Sequence, residues 1–301
     1  MNTIVMTGAT SFLGRNILRG LLDKGYIVYA LVRKDSPSIQ FLHTSSNLKL
    51  IYGSLENLDE ICNYVERAKW FIHFAWDGSG YNGRADKTIQ QKNIEYSMHA
   101  LEIAQKIGCE KFVFSGSQAE YGIVHDETYE DMKCSPVSEY GKAKLRFSEM
   151  AEDFCIHKKI KFIHLRIFSV YGIGDREGTL VDSCIKKFNI GEQMILGSCL
   201  QEWNYLYIID FVHMILKILE SESANGIYNI ASKDTRIMRE FVNEIYELSN
   251  KSGTYKFTET TENPEGSPSL HPNTDRIMKL IDGYEMTSFA TGINEIMSTI
   301  K

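Results

Sequence analysis

The stretch Ile4-Val5-Met6-Thr7-Gly8-Ala9-Thr10-Ser11-Phe12-Leu13-Gly14 decides the fold. A short apolar run passes through a glycine turn into a helical pattern over residues 12–24. In that pattern Leu13, Ile17, Leu18, Leu21 and Leu22 fall on one side, and Gly25 supplies the stop. A second β-branched strand follows at 26–32. Such a start leaves bare backbone N–H groups and the positive end of a helix where a pyrophosphate can sit. Gly8 lets the chain turn sharply, and Gly14 lets the helix approach the sheet. The plain alternative is a strand–helix–strand unit whose glycine turn holds no ligand.

Outward from this stretch, strands are expected at 3–7, 26–32, 48–52, 70–74, 111–115 and 161–167, and helices at 12–24, 58–68, 88–107 and 137–157. Short apolar strands, each followed by a crossover, imply a parallel sheet covered on both faces. The fold class is therefore α/β, a Rossmann-type doubly wound sheet. Gly108 closes the long crossover as a C-cap. After Tyr171-Gly172 the rhythm loosens, and Pro264, Pro268 and Pro272 cluster late in the chain. We expect a nucleotide-binding domain over 1–171 and a smaller, partly interleaved lobe over 172–301.

Composition narrows the function classes. The chain has 301 residues and a formal charge of −6, with no basic stripe, so no nucleic-acid partner is expected. Lys158, Lys159 and Lys161 read as a solvated helix end. The six cysteines are scattered without a Cys-x-x-Cys, which gives neither a disulfide framework nor metal-ligand spacing. Met1 runs straight into the first strand, and no apolar stretch is long enough to span a bilayer. A cytoplasmic chain with free thiols and no membrane partner is the expectation.

Ser117, Tyr140 and Lys144 form the sharpest chemical constellation. Ser135-Pro136 reads as a helix entry, with an N-cap serine before proline. Tyr140 lies one turn in, and Lys144 follows on the same face. An ammonium about 4 Å from a phenol supplies at most roughly 4 kcal/mol at an effective dielectric near 20. That is enough to lower a tyrosine pKa of about 10 by up to about three units. Such a tyrosine exchanges a proton with a carbonyl or alcohol near neutrality. Ser117 follows the fifth strand, at the sheet end that faces a ligand crevice, where its hydroxyl can hold the same oxygen. The spacing recurs at Tyr129 and Lys133, inside an acidic loop without helical periodicity, and we take that pair as a decoy. His73 reads as a core histidine.

These segments together resemble the extended short-chain dehydrogenase/reductases, in the nucleotide-sugar epimerase/dehydratase branch. Thr7-Gly8-Ala9 with Gly14 resembles the cofactor turn. Phe71-Ile72-His73-Phe74-Ala75 is similar to the fourth strand, and Asn93 stands at the helix asparagine. Phe114-Ser115-Gly116-Ser117-Gln118-Ala119-Glu120-Tyr121-Gly122 resembles the strand-five serine segment. Tyr140-Gly141-Lys142-Ala143-Lys144 resembles the catalytic helix. Leu165–Gly172 and Tyr228-Asn229-Ile230-Ala231 are similar to later segments.

The resemblance implies that Tyr140 is the acid/base, that Lys144 lowers its pKa and holds the nicotinamide ribose, and that Ser117 orients the reacting oxygen. Hydride then passes between nicotinamide and a sugar carbon, most plausibly C4. Cofactor contacts are implied at Gly8, Thr10, Ser11, Phe12, Leu13, Gly14, Arg33, Lys34, Ser54, Leu55, Phe74, Ala75, Trp76, Asn93, Ser115, Tyr140, Lys144 and Ile167. Substrate contacts are implied at Ser117, Gln118, Ser169, Trp203 and Arg276. The partner is a nucleotide-diphosphate sugar, and a homodimer through the 88–107 and 137–157 helices is implied as well.

Departures from the family pattern sharpen the reading. Ser11 replaces the middle glycine of the cofactor turn, which leaves its backbone less free. Arg33-Lys34 stands where an acidic residue would hold a ribose diol, so NADP(H) is favoured, with NAD(H) kept open by Asp35. Gln118-Ala119 replaces the Asp-Glu pair of the 4,6-dehydratases, so dehydration ranks low. Trp203 takes the place of an arginine that contacts the nucleotide diphosphate, which leaves Arg166, Arg176 and Arg276 as candidate phosphate clamps. A 4-ketoreductase acting on a 4-dehydro nucleotide sugar is the reading. The alternatives are a 4-epimerase, a non-catalytic NAD(P)-sensing protein, and a reductase of a non-sugar carbonyl.

Overall fold

The computed structural model describes residues 2–80, 82–259 and 269–300; Pro264 and Pro268 lie outside the described residues. The chain forms two compact units. The first comprises Met1–Gly122, Lys133–Ile167 and Met214–Tyr228, and the second comprises Ile123–Met132, Phe168–His213 and Asn229–Lys301.

In chain order the elements begin with β1 (Thr3–Thr7), α1 (Phe12–Asp23), β2 (Ile27–Val32), β3 (Leu48–Tyr52), α2 (Ile61–Tyr64) and β4 (Trp70–His73). They continue with α3 (Lys87–Lys106), β5 (Lys111–Ser117), α4 (Glu139–Lys158), β6 (Lys161–Ile167), β7 (Ser169–Tyr171) and α5 (Leu180–Ile190). β8 (Gln193–Leu196), β9 (Glu202–Tyr207), α6 (Ile208–Glu220) and β10 (Gly226–Ile230) follow. The last are β11 (Thr235–Ile237), α7 (Met238–Leu248), β12 (Thr254–Phe257), α8 (Asp275–Leu280) and α9 (Phe289–Thr299).

A seven-stranded sheet runs in the order β10-β6-β5-β4-β1-β2-β3. β1 pairs in parallel with β2 (Val5 opposite Tyr29) and with β4 (Val5 opposite Phe71), and β5 pairs in parallel with both β4 and β6. Strand order therefore reverses between β1 and β4, which places a ligand crevice at their carboxyl ends. β4 and β5 are buried along their whole length, because helices cover both faces of the sheet. Phe71, Phe112, Phe114 and Phe162 from three adjacent strands pack with Phe147 of α4, the closest ring pair being Phe114 and Phe147 at 4.5 Å. This aromatic floor lies directly beneath the chemically interesting end of β5.

Two expected helices change. The one at 58–68 gives way to a 3-10 turn, Leu55–Glu60, and the single turn α2, which ends where Val65 turns extended (φ −126°, ψ 105°). Val65 is nevertheless buried, as a helix would also have placed it. α4 begins at Glu139, and Ser138 rather than Ser135 caps it by accepting the Gly141 N–H at 3.2 Å. The Ser135 N–H donates to the Tyr121 carbonyl instead (3.1 Å), so Ser135-Pro136 belongs to an extended segment. β5 also runs two residues further than expected, to Ser117.

In the second unit β11, β9 and β7 form a small sheet, and β12 pairs with β8. Tyr205 packs edge-on to Phe241 (5.0 Å), and Phe241 to Phe289 (4.7 Å). Asn229 donates to the carbonyls of Thr128 and Asn273, both at 3.0 Å, which ties the 123–132 segment into this unit. No helix among the described residues is long and apolar enough to cross a membrane.

Candidate active site

The turn after β1 is built for close approach. Gly8 has φ +76°, and a Cβ there would lie 2.5 Å from the Ala75 nitrogen and from the Phe74 carbonyl carbon. A Cβ at Gly14 would lie 2.1 Å from the Gly8 oxygen. Both positions therefore require glycine. Ser11 does not need the freedom a glycine would give: its φ of −72° is ordinary, and it is the N-cap of α1. Its hydroxyl accepts the Gly14 N–H at 3.0 Å and donates to the Gly8 oxygen at 2.8 Å. A tight turn that opens onto the N-terminus of a twelve-residue helix at the switch point fits a dinucleotide. Thr10, Ser11, Phe12 and Leu13 make up that turn. Arg33 and Lys34 are exposed directly after β2. Ser54 caps the following 3-10 turn through the Glu56 N–H, with Leu55 buried beside it.

The loop after β4 is pinned to β1. The Ala75 N–H donates to Thr7 Oγ1 at 3.3 Å. His73, fully buried, spans Thr7 Oγ1 and Ser97 Oγ, each at 2.9 Å. Burial, and then the charge of Lys144, push its pKa down to about 3, so it stays neutral and serves the core. Asn93 does not point its amide outward: Nδ2 donates to the Asp77 carbonyl (2.8 Å), and Oδ1 accepts the Asp77 N–H (3.0 Å). It braces the loop.

Tyr140 and Lys144 share the buried face of α4. The Lys144 ammonium donates to the Ser115 carbonyl at 2.6 Å, with Ser115 Oγ at 3.5 Å. It lies 3.7 Å from the Trp76 ring centre, 4.6 Å from that of Phe114 and 5.6 Å from that of Tyr140. Burial drives its pKa well below the usual lysine range; Glu120 opposes this and Arg84 adds to it. Trp76 stands edge-on to Tyr140 at 6.2 Å, and its indole N–H donates to Gln90 Oε1 at 2.8 Å. Ser117 ends β5, where its Oγ accepts the Ala119 N–H at 3.2 Å. That bond occupies a lone pair and leaves the hydroxyl hydrogen able to donate. Ile167 of β6 lies opposite Ser117 in register, and Gln118 opens the turn that follows. Tyr129 of the decoy pair is exposed, and its hydroxyl donates to Glu127.

Three polar residues around this set went unremarked in the sequence. Glu120 is fully buried. It accepts the Ser117 N–H (2.8 Å) and pairs with His164 Nε2 (2.9 Å) and Arg166 Nε (3.1 Å). Burial alone would raise its pKa, but His164, Arg166 and the Ser117 N–H together hold it below the usual carboxylate range. Arg166 is thereby committed to Glu120 and to the face of the Tyr121 ring (4.5 Å), which removes it as a phosphate clamp. Gln90 and Arg84 are the others. For Glu120 the available signal was its place three residues after Ser117, the spacing of a capping box; Gln90 and Arg84 gave none.

In the second unit, Ser169 of β7 lies opposite Tyr205 of β9. Trp203 of β9 lies opposite Arg236, and its buried indole N–H has no acceptor among the described residues. Arg276 is exposed in the first turn of α8.

Residues 4–231 match the NAD dependent epimerase/dehydratase family. CDP-abequose synthase of Salmonella muenchen is 24% identical over 300 residues, covering 98% of this chain and 97% of that one. The dTDP-4-dehydro-6-deoxyglucose reductase of Escherichia coli is 25% identical, covering 85% of this chain and 84% of its own. Among solved structures, UDP-glucuronic acid 4-epimerase from Bacillus cereus, in complex with UDP-glucuronic acid and NAD, superposes with a TM-score of 0.83. The match covers 99% of this chain and 98% of that one at 21% identity.

Proposed function

This chain belongs to the NAD dependent epimerase/dehydratase family, and on that premise we propose that it reduces the 4-keto group of a 4-dehydro nucleotide-diphosphate sugar. When bound, the nicotinamide coenzyme supplies the hydride. The Tyr140 hydroxyl gives a proton to the carbonyl oxygen, and the Ser117 hydroxyl donates to the same oxygen and holds it in place. Lys144 holds the Ser115 carbonyl beside the Trp76 ring, on the same helix face as Tyr140.

The observation that carries this reading is the state of the carboxylates beside Ser117. Elimination of water needs an acid and a base there. Gln118 and Ala119 offer neither, and Glu120 is buried, ionised and fully occupied by His164, Arg166 and the Ser117 N–H. Hydride transfer with one proton needs only Tyr140. The 4-dehydro sugar in the name of the Escherichia coli relative supports the same chemistry.

Arg33 and Lys34 support NADP(H) over NAD(H), since two cations after β2 suit a 2′-phosphate. Ser117, Gln118, Ser169, Trp203 and Arg276 keep the substrate roles that the resemblance implies. A homodimer through α3 and α4 is proposed on the groove that Ile94, Met98 and Met150 line. The cytoplasm is the proposed location, in keeping with cysteines that form no disulfide among the described residues. The test is a panel of 4-dehydro-6-deoxy nucleotide sugars with NADPH or NADH. One coenzyme oxidised per sugar reduced supports the reading. Interconversion of 4-epimers with no added coenzyme assigns the epimerase alternative instead.

A further inference from the structure

We infer that Arg84 is a second cation acting on Tyr140, held over the phenol ring so that the tyrosinate is favoured. This rests on the reading of Tyr140 as the acid/base. The Arg84 guanidinium carbon lies 4.3 Å from the Tyr140 ring centre, nearer than the Lys144 ammonium at 5.6 Å. Lys144 is directed elsewhere, to the Ser115 carbonyl and the indole face of Trp76. The residue expected to acidify the tyrosine is thus the more distant of two cations, and it is fully desolvated. An arginine keeps its charge at every working pH, whereas a buried lysine does not. A phenolate ring is richer in electrons than a phenol ring, so a cation on its face stabilises the ionised form more.

The loop that carries Arg84 is fixed in place. Gln90, itself 2% exposed, donates from Nε2 to the Gly78 carbonyl (3.1 Å) and the Gly83 carbonyl (2.9 Å). A Cβ at Gly83 would lie 2.3 Å from the Gly78 Cα, so the two glycines bring the loop's strands together. The Arg84 N–H donates to the Gly80 carbonyl (3.1 Å), and Asp86 caps α3 through the Thr88 N–H (2.8 Å). Asn93 clamps Asp77 at the loop's other end.

Two cations lie against the Tyr140 ring. Its own helix supplies Lys144, and the 3-10 turn Gly83–Ala85 supplies Arg84. The turn after β5 supplies Glu120, already paired with His164 and Arg166 of β6. The loop after β4 contributes the Trp76 ring, edge-on to Tyr140 at 6.2 Å.

The experiment compares the full-length protein with Arg84→Gln and Arg84→Lys. Tyr140 ionisation is read from the near-ultraviolet absorbance of tyrosinate against pH, each time as the difference from the same protein carrying Tyr140→Phe. Arg84→Gln is expected to raise the Tyr140 midpoint by about half a unit to one and a half units, and Arg84→Lys by less. The rising limb of alcohol oxidation against pH should move with it, and rates at high pH should converge on the wild type. A purely structural role would lower the rate equally at all pH values and leave the limb in place. The same Tyr140 midpoint in wild type and Arg84→Gln, or no midpoint separable from the other tyrosines in either, overturns the inference. A midpoint that moves in a protein that oxidises no nucleotide sugar upholds the inference and removes the enzymatic reading.

Discussion

His73 makes the protein acid-sensitive in a window that can be worked out from its surroundings. Burial and Lys144 hold its pKa at about 3, against about 6.5 in an unfolded chain. Between those values the unfolded chain binds a proton that the native state refuses. Stability therefore falls as pH drops through 6.5 and keeps falling towards 3. Each unit well inside the window is about 1.4 kcal/mol, so going from about pH 7.5 to pH 5.0 costs about 2 kcal/mol. That is a large share of a total on the order of 5–15 kcal/mol. Glu120, whose pKa is depressed, contributes in a different window: its stabilisation is full above the ordinary carboxylate pKa and is lost only below it. The perturbation is His73→Gln, which removes the titration. Urea unfolding followed by tryptophan fluorescence at the two pH values gives four stabilities. At pH 7.5 the variant should be weaker by about 1–3 kcal/mol, because Thr7 and Ser97 lose a ring nitrogen each. At pH 5.0 that gap should narrow by about 2 kcal/mol. An identical gap at both pH values would refute the assignment of a neutral, desolvated imidazole.

Three further outcomes are expected. Tyr140→Phe should cut turnover at least about a hundredfold while coenzyme affinity, followed by fluorescence titration, stays within a few-fold; full activity would exclude Tyr140 as the proton donor. Arg33→Ala should weaken NADPH about tenfold or more and leave NADH nearly unchanged, since only the former carries the phosphate; equal losses would dismiss the 2′-phosphate contact. Gly14→Ala puts a methyl 2.1 Å from the Gly8 oxygen, so it should lower the melting temperature by several degrees and abolish the thermal shift produced by coenzyme. A normal shift in that variant would place the coenzyme away from this turn.

How far the sequence could be read depended on whether the deciding contacts were local. β1, β3 and β6 run over the expected residues: β1 and β6 are buried nearly along their length, and the edge strand β3 keeps enough apolar residues between turns to be read. Leu58, Ile61 and Val65 share a helical spacing, yet the chain delivers them to the core through a 3-10 turn, one helical turn and an extended residue. Apolar periodicity cannot separate these, since both place the same side chains inward. Ser135-Pro136 resembled a cap, but Ser138 took that role once Ser135 was drawn to the Tyr121 carbonyl. In the site, helical spacing put Tyr140 and Lys144 on one face and strand termination placed Ser117. The target of the Lys144 amine depended on β4 and β5, and Glu120 found its partners more than forty residues away. Contacts of that kind leave no local trace.

Glu120 also explains why this corner tolerates so much buried charge. A lysine ammonium without water deprotonates unless a carboxylate supports it, and Glu120 is the group that pulls Lys144 back towards its charged form. A lone buried carboxylate would itself take up a proton, and Arg166 with His164 prevents that. The same carboxylate accepts the Ser117 N–H and so fixes the strand end that presents the serine hydroxyl. Proton chemistry at Tyr140 and orientation at Ser117 therefore lean on one ion cluster beneath the site. A carboxylate committed in this way cannot also serve as the acid or base of an elimination, so the feature that equips the corner for hydride chemistry is the one that argues against dehydration.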